Sequence, residues 1–276
     1  MSLEQARLYL WARRTLYIGS IPEPVSLNQA APTLLLSFDA TFICDVPSTN
    51  QTFETKSLLV PAGEKINLDI KGSRAVNCNL DPMYEDYAQL APRFKNSIDG
   101  FYYDIEDYAH FSAVLRELGS KPLSSSDAYT KLDTLIGEPL TIVVNTAKHE
   151  GIRKPVADPR IRHVIEMIQS NINFNLTVEE LAEAVGLSTA RLMQLFKATT
   201  GIPIRRYRQW HRLYCAGVLL GTGSNLTDAA LQAGFTDSAH FSNTFKDIMG
   251  MSPTSIFMQP GGIKIIPPET EGIKTA

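Results

Sequence analysis

Residues 176–201 and 226–250 repeat one pattern. The first copy runs Leu176-Thr177-Val178-Glu179-Glu180-Leu181-Ala182, then Val185-Gly186-Leu187-Ser188, then Leu192, Phe196, Lys197 and Gly201. The second runs Leu226-Thr227-Asp228-Ala229-Ala230, then Ala233-Gly234-Phe235, then Phe241, Phe245, Lys246 and Gly250. Gly186 and Gly234 lie 48 residues apart, enough for a two-helix unit plus a connecting helix. In the first copy Thr177 and Glu180 have capping-box spacing. Leu181, Ala182 and Val185 then form an inward stripe, and Gly186 can supply the positive φ that ends the helix. Ser188 caps a second helix whose Leu192, Leu195 and Phe196 face a core. In the second copy Phe241, Phe245 and Ile248 hold the same core side.

The side chains left outward near the start of that second helix are Thr189, Ala190, Arg191, Met193 and Gln194. A helix-turn-helix places its base-reading residues here, in the major groove of double-stranded DNA. Gln can pair bidentately with adenine and Arg with guanine, while Ala or Met can touch a thymine methyl. Lys197, a turn later, is suited to phosphate. In the second copy Ser238, Ala239, Ser242 and Asn243 face outward, with His240 beside them and Lys246 available to phosphate. His240 reads either as a base contact or as a helix-packing residue. With no Arg on that face, the second copy is expected to position the protein while the first carries most specificity. Between the copies, a connecting helix would bury Tyr207, Trp210 and Leu213 while Arg205, Arg206, Arg208 and Arg212 reach outward to backbone phosphates. The bland alternative for Arg205 and Arg208 is solvation or pairing with nearby acids.

The run Arg212-Leu213-x2-Ala216-x2-Leu219-Leu220, then Ala230-x2-Ala233-Gly234-Phe235-x2-Ser238-x-His240-Phe241-x3-Phe245-Lys246-x3-Gly250-x-Ser252-Pro253, resembles the signature of AraC/XylS-type transcription regulators. The resemblance covers roughly residues 158–258. It implies an all-helical domain with two helix-turn-helix units joined by a long helix, preceded by a sandwich or half-barrel used for ligand sensing, dimerisation or both. It also implies a homodimeric, sequence-specific DNA-binding regulator that contacts RNA polymerase and leans toward activation. Two departures stand out. Ser255-Ile256-Phe257 replaces an aromatic–Arg pair after Pro253, and a tail, residues 260–276, extends beyond the motif.

The half before residue 148 has a different texture. Residues 33–44 are apolar and β-branched, Ile66, Leu68 and Ile70 alternate with polar residues, and Val76, Cys78 and Leu80 alternate again after Gly72-Ser73. Turn residues at Asp45-Val46-Pro47-Ser48 and Pro61-Ala62-Gly63-Glu64 separate these runs. Short strands with frequent turns suggest a small antiparallel sandwich or barrel. After about residue 84 the pattern becomes helical. Ile105, Tyr108, Phe111, Ala113, Leu115 and Leu118 approximate one apolar face, and Ser126 can cap a second helix carrying Leu132, Leu135 and Ile136. Residues 140–144 fit either strand or helix. A charged, proline-bearing stretch then reads as a linker, and Asp158 with Pro159 opens a helix whose Ile161, Val164, Ile165 and Ile168 share a stripe. The expected fold class is α+β. An N-terminal β-sandwich or cupin-like half-barrel with helices (1–147) is followed by a linker (148–158), an all-α domain with two helix-turn-helix units (159–258) and a tail (259–276).

Charge supports the division. Residues 1–150 hold 13 Lys and Arg against 19 Asp and Glu, and residues 151–276 hold 13 against 10, so the second half is the one suited to approach nucleic acid. No apolar run approaches the ~18–20 residues of a membrane span. Residues 1–14 lack a signal-peptide core, and three scattered cysteines suit a reducing cytoplasm. A cupin-type enzyme is disfavoured, because residues 1–100 contain no His and His110 and His149 stand alone. Cys44 and Cys78 lie on apolar strand patterns, and no nucleotide loop or Ser nucleophile motif is present. Neither a metal nor a cofactor is expected. For the N-terminal half two readings stay open: a sensor for a small organic effector, or a dimerisation and protein-interaction module. The cluster Asp99, Asp104, Glu106 and Asp107, interleaved with Phe101, Tyr102, Tyr103 and Tyr108, fits either an interaction face or ordinary helix surface.

Overall fold

A computed structural model describes residues 5–21, 24–81, 83, 86–137, 158–170, 176–257 and 262–269. Most of the expected linker and the whole of 140–144 lie outside them. The N-terminal half contains strands β1 (Ala6–Leu10), β2 (Thr15–Ser20), β3 (Val25–Asn28), β4 (Thr33–Ser37), β5 (Phe42–Val46), β6 (Gln51–Thr55), β7 (Ser57–Val60), β8 (Lys65–Asp69), β9 (Arg74–Asn79), β10 (Phe94–Ile98) and β11 (Phe101–Ile105). Helices α1 (Asp86–Leu90), α2 (Tyr108–Ser120) and α3 (Ser125–Gly137) accompany them. The strands form an eight-stranded sheet, ordered β10-β11-β7-β4-β9-β2-β1-β12, and a four-stranded sheet, ordered β3-β8-β5-β6. The last member of the larger sheet, β12 (Ile263–Ile266), comes from the tail.

The larger sheet is covered on both faces, which explains why β4 is apolar throughout its centre. Leu34 and Leu36 join Phe111, Leu115 and Leu132 beneath α2 and α3, while Leu35 faces Phe42, Leu58 and Leu68 between the two sheets. Period-2 alternation therefore divides one strand between two cores. Cys44 and Cys78 are buried, one in each core, and burial pushes both thiols up to about 12.

Residues 94–105 correct the helical reading. They form an antiparallel hairpin, turned by Asp99 (φ 48°) and Gly100 (φ 81°). Two successive positive φ angles on Asp-Gly are what a tight two-residue hairpin requires. The acidic–aromatic cluster is thus mostly strand: Phe101 lies between the sheets and Tyr102 packs toward the helices. Helix α2 begins only at Tyr108, and Ala113 is exposed rather than on its apolar face. The cap of α3 is also different, since Ser124 Oγ, not Ser126, accepts from the Asp127 N–H at 3.0 Å.

The helical half comprises α4 (Pro159–Ser170), α5 (Val178–Ala184), α6 (Thr189–Thr200), α7 (Ile204–Gly221), α8 (Leu226–Gln232), α9 (Ser238–Met249) and α10 (Pro253–Phe257). Asp158 Oδ1 accepts from the Arg160 N–H at 3.0 Å, and Ile161, Val164, Ile165 and Ile168 are buried. Ala30 and Ala31 of the N-terminal half share this core with Trp210 and Phe241. Strand β12 runs parallel to β1, with Ala6 opposite Ile263. It also abuts α7, where a Cβ on Gly221 would come within 2.9 Å of Ile265.

Candidate nucleic-acid interface

The two repeats fold as two helix-turn-helix units, α5–α6 and α8–α9. In the first, Thr177 Oγ1 accepts from the Glu180 N–H at 3.1 Å while Glu180 returns a carboxylate to the Thr177 N–H at 2.6 Å. Gly186 turns the chain at φ 64°, and Ser188 Oγ accepts from the Arg191 N–H at 3.3 Å. Leu192 and Phe196 are fully buried beneath α6. These constraints leave Ala190, Arg191, Met193, Gln194 and Lys197 exposed, with Thr189 half-buried. Arg191 Nη1 donates to Gln194 Oε1 at 2.9 Å, so these two exposed side chains stand side by side.

In the second unit the caps are Asn225, which accepts from the Asp228 N–H at 2.9 Å, and Asp237, which accepts from the His240 N–H at 2.7 Å. Asn225, not Thr227, therefore answers Thr177. The first helices correspond at an offset of 48 residues, and the second helices at 49, because the second turn carries one more residue. In that register Arg191 corresponds to His240, Met193 to Ser242, Gln194 to Asn243 and Lys197 to Lys246. Ser238, Ala239, Asn243 and Lys246 are exposed, and Ser242 and His240 are half-buried. His240 sits edge-on to Phe235, 5.3 Å between ring centroids, with Nδ1 3.1 Å from Thr236 Oγ1. Its ring thus serves packing as well as the outer face. The backbone hydrogen bond from His240 holds the Asp237 carboxyl below its ordinary range, leaving a negative charge at the start of α9.

Helix α7 buries Tyr207, Trp210 and Leu213, but it does not free all of its arginines. Arg205 is exposed and Arg212 is half-buried. Arg206 is bonded to the Asp247 carboxylate in α9 and donates to the Asn28 carbonyl of β3 at 2.7 Å. Arg208 donates to the Leu176 carbonyl. Burial pulls the Arg208 and Arg212 guanidiniums below their ordinary values. The outward placement expected for Arg206 and Arg208 is thus replaced by intramolecular bonds. Sequence reading also missed the neighbours of α9: Ser26, Asn28 and Lys65 of the N-terminal half flank Asn243, Lys246 and Asp247. Glycines at the C-terminal ends of both reading helices lie against the same half. A Cβ on Gly201 would stand 3.1 Å from Ala62, and one on Gly250 would stand 2.6 Å from the Ser26 carbonyl oxygen.

Residues 181–259 match the helix-turn-helix domain family. The lactose operon transcription activator of Staphylococcus xylosus is 27% identical over 135 residues, which cover 47% of this chain and 48% of that protein. The chain thus spans about half the length of that curated relative. An apo variant of ToxT from Vibrio cholerae strain SCE256 aligns over 91% of this chain and 99% of its own, with a TM-score of 0.63 and 11% identity. Wild-type ToxT from the same strain, bound to an unsaturated fatty acid, aligns over 89% of this chain and 95% of its own, with a TM-score of 0.58 and 11% identity. These two likenesses concern the fold. Among the described residues no helix is long and apolar enough to cross a membrane. The two capped helix pairs thus lie in a helix-turn-helix domain, the segment over which this chain is similar to known transcription regulators.

Proposed function

We propose that the whole protein is a sequence-specific transcription regulator that docks both helix-turn-helix units on double-stranded DNA and answers to a small molecule held by its N-terminal half. The observation that carries this reading is the shared register of the two reading helices, which leaves Arg191 and Gln194 on one and Asn243 on the other exposed beyond buried Phe196 and Phe245. Thr189, Ala190, Arg191, Met193 and Gln194 read bases in the first unit; Ser238, Ala239, Ser242 and Asn243 do so more softly in the second. Lys197, Lys246 and Arg205 meet phosphate. The N-terminal half is poised to transmit a ligand's presence because it touches the ends of both reading helices. The fatty acid on one structural neighbour supports ligand control. The family resemblance supports a cytoplasmic homodimer that contacts RNA polymerase.

Selection of bound sequences from random duplexes tests the docking. Two motifs separated by about one helical turn, ~10 base pairs, are expected. A single short motif would overturn the two-unit reading.

A further inference from the structure

An apolar cavity of about 90 Å³ lies where the N-terminal sheet meets the helical half. Leu8, Leu10 and Tyr17 of β1 and β2 form one wall. Trp210, Leu213 and Leu220 of α7 and Phe245 and Met249 of α9 form the other. Protein interiors are close-packed, and a void forfeits the dispersion contacts of its lining. This one is also bordered by Met249 and Met251, whose unbranched thioether chains re-pack readily around an occupant.

The polar groups at its edge define the chemistry. None of the described lining residues carries a charge, so an ion would be desolvated there without a partner. Asn79 Nδ2 donates to Thr15 Oγ1 at 2.9 Å, Asn79 Oδ1 lies 3.0 Å from the Thr33 hydroxyl, and the Tyr17 hydroxyl donates to the Ser20 carbonyl at 2.9 Å. Asn77 is different: its Oδ1 is buried and has no hydrogen-bond partner. An unmatched buried acceptor is costly and is relieved by any donor placed beside it.

We propose that this interdomain cavity is a ligand site for a small, neutral, largely apolar molecule, of the order of one aromatic ring, that donates a hydrogen bond to Asn77. The proposal rests on the reading of ligand control and specifies its chemistry. A fatty acid would bring a carboxylate for which these walls offer no cation. An occupant would touch the sheet, the connecting helix and the second reading helix together, and so favour one placement of that unit.

Trp210 lines the cavity, and the chain's only other tryptophan is Trp11. In the full-length Trp11→Phe protein at neutral pH, Trp210 emission therefore reports the site during titration with phenol, toluene or benzoate. Phenol and toluene should give saturable changes and benzoate none. Asn77→Leu should weaken phenol about tenfold relative to toluene, the loss of one hydrogen bond; Asn77→Ala serves the same comparison should the leucine variant not fold. No saturable response to phenol, binding of benzoate as tight as phenol, or an unchanged phenol-to-toluene ratio would each overturn the site. A metabolite that raises the melting temperature without moving Trp210 emission would sink this site while leaving ligand control standing.

Discussion

The two helix-turn-helix units share a skeleton and differ in what surrounds it. Each has two side-chain-capped helices, a glycine at the end of the reading helix and phenylalanine anchors beneath it. In the first unit the reading helix starts at neutral Ser188 and presents Arg191 joined to Gln194. In the second it starts at ionised Asp237 and presents His240 tied to Phe235 and Thr236. A helix N-terminus attracts phosphate, and a carboxylate capping it opposes that attraction. The second helix is also moored: Asp247 holds Arg206, which holds Asn28 of β3. On the proposed function, this repeated scaffold separates two tasks, with reading weighted to the first copy and coupling to the N-terminal half weighted to the second.

The sharpest test of that division compares reading faces. Arg191→Ala with Gln194→Ala should cost ~1–3 kcal/mol per lost base contact on specific DNA and much less on random duplex, as measured by fluorescence anisotropy. Ser242→Ala with Asn243→Ala should cost less; equal losses would break the comparison. The next effect concerns α7, which both units share. Burial holds the His211 imidazole down to about 4, so it stays neutral in the fold while the unfolded chain takes up a proton below about 6.5. Stability is therefore full above pH 6.5 and falls as the pH drops toward 4, by on the order of 3 kcal/mol. Asp81, whose carboxyl burial raises to about 7, acts in the opposite direction, so the informative quantity is the difference in denaturant unfolding between the native chain and His211→Phe. A pH-independent difference would contradict the neutral, buried imidazole.

Gly201→Ala and Gly250→Ala both impose a positive φ on alanine, at ~1–2 kcal/mol. Gly250→Ala should cost more, because its Cβ would meet the Ser26 carbonyl while that of Gly201 meets Ala62 at a looser 3.1 Å. Thermal unfolding ranks the two, and the reverse order would deny that the second unit is the more tightly moored. Smallest is a change in salt dependence. Lys197→Ala should flatten the plot of log affinity against log salt by about one unit, whereas Arg206→Ala should leave its slope nearly unchanged.

Local chemistry made much of this legible in the sequence. The Thr177–Glu180 box, the Ser188 cap, the Gly186 turn and the buried stripe of α4 are decided within four or five residues, and each stands where its spacing predicts. The hairpin at Asp99-Gly100 was equally local, but its neighbouring acids and tyrosines resembled a helix face. What could not be read was non-local. Arg206 bonds to Asn28 at a separation of 178 residues and to Asp247 at 41, and no pattern around Arg206 announces either partner. The offset of 49 for the reading helices depends on one extra turn residue, which similar Leu-Thr pairs at 176 and 226 disguised.

Strand β12 gives the chain a clasp. Ala6 and Ile263 are partners across 257 residues, so everything from β2 to α10 lies inside a loop closed by one short run of strand pairing. Closing such a loop costs roughly 5 kcal/mol of chain entropy by the logarithmic scaling, far more than four residue pairs return unless both halves are already in place. The clasp should consequently shut last in folding and open first under load. Amide exchange at residues 263–266 then becomes a built-in gauge of whether the sheet and the connecting helix are docked.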